Sequence, residues 1–170
     1  MKGRSEWRDR LELFHGAVLT KLLRSDRPVS LRLVEKHAGA ATWSTYTIND
    51  EVNLFIAHSK AGRTVQRDGG GTSWSFVFSP NQLRQLNPAN AGRPVYAALV
   101  CGGATLRTGP MQVCLLEPAQ LAELLDFTAT QQGITVRKPQ RRGQFRIFKD
   151  REERFLVPLS RLDTWEIPGA

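Results

Sequence analysis

The run Pro94–Cys101, PVYAALVC, constrains the fold more than any other part of this chain. It is almost continuously apolar, yet far short of the roughly 20 residues that cross a bilayer. A segment of this length without alternation reads as a strand buried on both faces, a strand that lies inside a sheet with cover above and below it. The N-terminal segment offers one cover. Trp7, Leu11, Phe14, Val18 and Leu22 recur at helical steps, and Leu19 and Leu23 widen the stripe. This predicts an amphipathic helix that Ser5 can cap. Gly16 in its middle costs about 1 kcal/mol relative to Ala, which a close backbone approach would justify.

Between these two segments the period changes to two. Val29–Glu35 alternates, Thr42–Ile48 is rich in Trp, Thr and Tyr, and Glu51–Ser59 places Val52, Leu54 and Ile56 on one face with Phe55 and Ala57 on the other. Asn49-Asp50 predicts a tight turn between the last two strands. Gly62–Ser73, with three consecutive glycines, reads as a mobile loop, and Ser73–Phe78 as a strand. Ser79-Pro80-Asn81-Gln82 is a helix start: serine caps, proline fits the first turn, and glutamine completes a capping box. Met111–Leu116 predicts another strand, Pro118–Phe127 a second amphipathic helix, and Ile134–Val136, Gln144–Phe148 and Phe155–Leu159 the late strands. The expected class is α+β, a central mixed sheet flanked by the N-terminal helix and one or two later helices.

Charge narrows the partners. The window Val136–Arg154 holds eight Lys/Arg against three Asp/Glu, a net +5 out of the chain's +8. A concentrated basic stretch on a folded domain points to a polyanion, most often nucleic acid. Arg137, Lys138, Arg141, Arg142 and Arg146 are the candidate phosphate contacts, with Arg63 and Arg67 in the glycine-rich loop as extensions. Arg forks match phosphate geometry. The alternative partner is an acidic protein surface in a larger intracellular complex. The charged N-terminus has no apolar core and so is no secretory signal. With no apolar run long enough for a membrane and only two cysteines, a soluble cytoplasmic protein without a disulfide framework is expected.

The order helix, strands, helix, apolar strand resembles the αβββαβ core of the PD-(D/E)XK (restriction-endonuclease-like) superfamily, over about Trp7 to Cys101. At 170 residues a single domain is expected, and the resemblance implies residues 1–116 as a nuclease-like core and 117–170 as a helix and basic strand extension. In that superfamily an acid at a strand start and a Glu-x-Lys on the next strand hold a divalent metal. The matching residues here are Asp50 or Glu51, then His58-x-Lys60. Histidine stands where a carboxylate is expected, and imidazole is a poor ligand for Mg²⁺. A relative that binds nucleic acid without cutting is the implied function, with no cofactor. An active nuclease using Asp50, His58, Lys60 and Mg²⁺ is the third reading.

Other chemistry-bearing residues read as structural. His15 borders the apolar stripe and predicts a packed, hydrogen-bonded imidazole. Cys101 and Cys114 fall on apolar strands with no zinc spacing. The glycines at 69–71 lack the Lys-Ser/Thr ending of a phosphate-binding loop. Trp43 and Trp74 predict core packing, and an exposed Trp165 would mark a partner interface.

Overall fold

The computed structural model describes residues 3–37, 43–59, 62–66, 70–102, 112–141 and 143–169. The chain begins with α1 (Gly3–Leu23), followed by β1 (Leu31–His37), β2 (Trp43–Ile48) and β3 (Val52–Ser59). Next come β4 (Arg63–Val65), β5 (Gly71–Phe78), α2 (Pro80–Leu86), α3 (Pro88–Ala91), β6 (Val95–Cys101) and β7 (Gln112–Leu116). It ends with α4 (Pro118–Leu124), β8 (Gln132–Pro139), β9 (Gln144–Lys149) and β10 (Glu152–Pro158).

These strands form two sheets. The first has the order β1-β2-β3-β6-β7, and the second β10-β9-β8-β5-β4. In the first sheet β1, β2 and β3 are an antiparallel meander, β6 lies parallel to β3, and β7 is antiparallel to β6. Every described pairing in the second sheet is antiparallel. The α+β class is as expected, but the single central sheet is not. The late strands pair with β5, and the resulting second sheet covers a face of the first where helices were expected. The reason is alternation: β5 buries Trp74, Phe76 and Phe78 and β8 buries Ile134 and Val136, with less buried residues between them, so these strands need full cover on one face only. The second sheet also joins strands from both sides of residue 116, the expected boundary between core and extension.

Two buried clusters follow. Phe55 and Ala57 of β3 and Ala97 and Leu99 of β6 meet Trp74, Phe76 and Phe78 of β5 and Phe145 and Ile147 of β9. Leu83 and Leu86 of α2 and Leu121 and Leu124 of α4 close the same cluster. On the other face of the first sheet, Leu54, Ile56, Ala98 and Val100 pack with Val18 and Leu22 of α1 and with Leu162 and Ile167 near the C-terminus. The apolar run at β6 is thus covered on both sides, as its composition required. Trp165 is not a free interface residue: its ring lies 4.7 Å from that of Tyr96. Lys21 of α1 donates to Asp163 at 2.8 Å and ties the C-terminal stretch to the helix.

Local signals map closely. Ser79 caps α2 with both halves of the capping box formed, Gln82 N to Ser79 Oγ at 3.3 Å and Ser79 N to Gln82 Oε1 at 2.8 Å. Asn49 and Asp50 both take positive φ, 53° and 55°, as a tight hairpin turn with right-handed strand twist demands. The expected loop at 62–73 is partly strand instead: Arg63–Val65 pairs with Gly71–Ser73. Gly71, at φ 131°, lies so close to Lys138 that an added Cβ would sit 2.2 Å from the Lys138 carbonyl oxygen. α1 starts at Gly3, ahead of Ser5, so Ser5 is not its cap. The side chains of Trp7 and Leu11 lie outside the described ones. Among the described residues nothing approaches within 4 Å of a Cβ at Gly16, so no close contact there accounts for that glycine. Gly16→Ala should therefore raise stability by about 1 kcal/mol, measured as a higher urea midpoint at unchanged slope.

Candidate polyanion-binding face

The outer face of the second sheet carries the arginines. In β5, Trp74, Phe76 and Phe78 point inward, which turns Ser73, Ser75 and Val77 outward. In β8, Ile134 and Val136 are buried, so Thr135 and Arg137 face out; in β9, Phe145 and Ile147 are buried, so Arg146 and Phe148 face out. The register then aligns residues across all five strands. Arg63 pairs with Ser73, Ser73 with Arg137, Arg137 with Arg146, and Arg146 with Leu156. Neighbouring strands lie ~4.8 Å apart, so Arg137 and Arg146 are adjacent and Arg63 stands about two strands away.

Two like charges directly opposite each other are destabilising unless compensated. Two devices compensate here. Glu153 accepts from Arg146 Nε at 3.1 Å and from Nη2 at 2.8 Å, a forked ion pair. The ring of Phe148 contacts both guanidiniums, with the Arg137 Cζ 4.9 Å and the Arg146 Cζ 5.2 Å from its centroid. The negative face of the ring stabilises each cation. Phe145, three positions before Phe148, faces the other way and lies in the core.

The rest of the basic window disperses. Lys138 alternates to the opposite side of β8 from Arg137 and is half-buried. Arg141 is exposed at the turn between β8 and β9. Arg142 and Arg67 lie outside the described residues. The Lys149 ammonium donates to the carbonyl of Leu124 at the end of α4 and to Gln132 Oε1, so it braces the fold. Arg154 lies 3.7 Å from Glu152.

The nuclease-like set does not assemble among the described residues. Asp50 sits in the turn before β3 and His58 near the far end of that strand, a separation on the order of 20 Å. Glu51 shares the Asp50 turn, and Lys60 lies outside the described residues. Asp50 and His58 thus do not fit a shared Mg²⁺ site. No group of three or more His, Cys, Asp or Glu among the described residues is placed to hold a metal.

His58 instead joins a small cluster under α1 that sequence reasoning missed in part. Its ring stacks on Phe14 at 4.6 Å and meets His15 edge-on at 5.8 Å. His15 Nδ1 and Ser44 Oγ share a hydrogen bond of 2.5 Å. Burial first, and then the neighbouring His58, push the His15 imidazole from its ordinary 6.5 down to about 3. A hydroxyl bonded to an imidazole is the start of a nucleophile and base arrangement. Ser44, however, is only 1% exposed, so no substrate reaches it in this conformation. The packed, hydrogen-bonded histidine expected at position 15 is what the structure holds. Nothing local in the sequence pointed to Ser44, because the partners are brought together by the sheet. Burial raises the thiol pKa of both Cys101 and Cys114 well above the ordinary cysteine value, which leaves them inert as nucleophiles.

Comparison with models of protein families, with curated proteins and with solved structures found no match to this chain.

Proposed function

We propose that this protein is a nucleic-acid-associated module that binds DNA or RNA through its phosphates on the outer face of the second sheet. The observation that carries this reading is the cross-strand row of Arg63, Arg137 and Arg146, on a chain of net charge +8. Ser73, Ser75 and Thr135 add hydroxyl donors on the same face, a type of group that commonly contacts phosphate oxygens. Phe148 contacts both guanidiniums, which favours its fixing the arginines over its stacking on bases. Binding of this kind positions a strand and reads no sequence. What supports the nuclease-like resemblance is α1 followed by β1 to β3 and, after β4, β5, α2 and α3, a β6 that lies parallel to β3; β4 and β5, which belong to the second sheet, depart from that order. The separation of Asp50 from His58 favours binding without cutting.

The test is fluorescence anisotropy with a labelled mixed-sequence oligonucleotide. Wild-type affinity should fall steeply between about 50 and 200 mM salt, and Arg63→Glu combined with Arg141→Glu should weaken it by at least about tenfold. Both positions are exposed, so the fold should survive. Affinity that ignores both salt and charge reversal would remove Arg63 and Arg141 from nucleic-acid binding and leave phosphate binding on this face without support. The second reading, an acidic protein partner on this face, is favoured by two exposed apolar residues there, Val77 at 54% and Leu156 at 46%. Salt-insensitive oligonucleotide binding together with co-purification of a protein lost in Leu156→Glu would select it.

A further inference from the structure

A separate cavity of about 450 Å³ opens between the edge strand β1 and the α2–α3 segment, on the first sheet. Arg32, Arg84 and Arg93 line it, with Leu33 and Val34 of β1 along one wall. The three arginines make the wall positive, and Arg93 is held there half-buried, with its enclosed Nη1 lacking a hydrogen-bond partner among the described residues. A buried guanidinium nitrogen without an acceptor is costly, and native proteins supply one from protein, water or ligand.

The charges around the cavity do not supply it. Arg84 and Arg93 form no ion pair among the described residues. Arg32 lies 3.8 Å from Asp50 in a largely exposed contact that contributes little. Glu35, on β1, accepts from Gln85 Nε2 at 2.5 Å and is engaged by that amide. At the floor, Thr47 Oγ1 donates to Asn53 Oδ1 at 2.9 Å. That bond takes one lone pair of the Asn53 oxygen, and the Asn53 amide N–H groups are donors. The polar lining is therefore positive, beside an apolar wall.

We propose that this cavity binds a nucleotide-sized phosphate monoester, with the phosphate on Arg93 and Arg84 and the organic body against Leu33 and Val34. Arginine forks hold a phosphate dianion through paired N–H bonds. The volume lies in the range of ordinary small-molecule sites, about 300 to 1,000 Å³. An anion here would meet the part of the half-buried Arg93 guanidinium that lines the cavity, while its enclosed Nη1 stays inside the wall. The arginine row of the second sheet takes no part, since no residue of that sheet lines the cavity.

Isothermal titration of the full chain with AMP, adenosine and inorganic phosphate tests the assignment. AMP should bind, adenosine should give no heat, and inorganic phosphate should bind at least about tenfold more weakly than AMP, because it lacks the body that the apolar wall receives. Arg93→Met and Arg84→Met should each weaken AMP by about tenfold or more, the loss expected for one charge-assisted fork. Should Arg93→Met fail to fold, as judged by circular dichroism, exposed Arg84 carries the test alone. Absence of AMP binding, adenosine binding as tightly as AMP, phosphate matching AMP, or AMP affinity unchanged in the folded variants would overturn the proposal.

Discussion

Phe55→Ala should cost about 4 kcal/mol of stability, a large part of what holds most domains of this size together. Phe55 is fully buried on β3 and faces the second sheet. Its ring lies 5.9 Å from that of Trp43 on β2 and 6.3 Å from that of Phe78 on β5. It therefore belongs to both sheets at once. Truncation removes the transfer free energy of the ring and leaves a cavity that two stiff sheets cannot close. Phe55→Leu keeps most of the volume and should cost only about 1.5 kcal/mol. Urea unfolding at neutral pH measures both. A Phe55→Ala midpoint close to wild type would mean that the interface between the sheets is not the core it looks to be.

Acid should destabilise this protein through His15 before its carboxylates titrate fully. The imidazole is held neutral in the folded chain down to about pH 3, whereas it takes up a proton near 6.5 once unfolded. Between those values the unfolded state binds more protons, so stability rises with pH there and falls as the solution is acidified. The stabilisation is complete above 6.5 and is lost progressively toward pH 3. At pH 4 the loss from this one group should be about 3 kcal/mol. The groups facing it are His58 on β3 and the Ser44 hydroxyl on β2. His15→Gln keeps a hydrogen-bonding side chain for Ser44 but does not titrate. The drop in unfolding free energy between pH 7 and pH 4 should shrink by about 3 kcal/mol in that variant, because the carboxylate contribution is common to both proteins. Equal drops would place the acid sensitivity elsewhere.

The two predictions bear on function through the same frame. The first sheet is covered on both faces, so it is a support. The second sheet is covered on one face only, and its other face is where Arg63, Arg137 and Arg146 come into register. A rigid interface at Phe55 keeps that face in shape. A charged face on a sheet fixed from behind can present its cations with little reorganisation on binding.

Much of the secondary structure was legible because its signals are local. A capping box spans four residues, and the one at Ser79–Gln82 formed as written. The Asn49-Asp50 turn and the alternation in β3, β5 and β9 are read from neighbours one or two positions apart. The unbroken apolar run at β6 announced burial on both sides. β4 was not legible: three residues, Arg63-Thr64-Val65, carry no period and form a strand only because β5 is there to pair with. Even the choice between one sheet and two was not written locally, since β5 could as well have paired within the first sheet.

The candidate site divides in the same way. Residue order alone put a net +5 into the late strands and the turn between them, made β6 internal and packed His15. The fold decided that Arg63, Arg137 and Arg146 share one face, that Glu153 and Phe148 hold Arg146, that Lys149 turns to α4, and that Asp50 and His58 stand at opposite ends of β3. Side-chain direction follows from the dihedrals of each strand and is fixed within a few residues. Which strands become neighbours depends on burying whole faces against distant segments, and that free energy has no local signature.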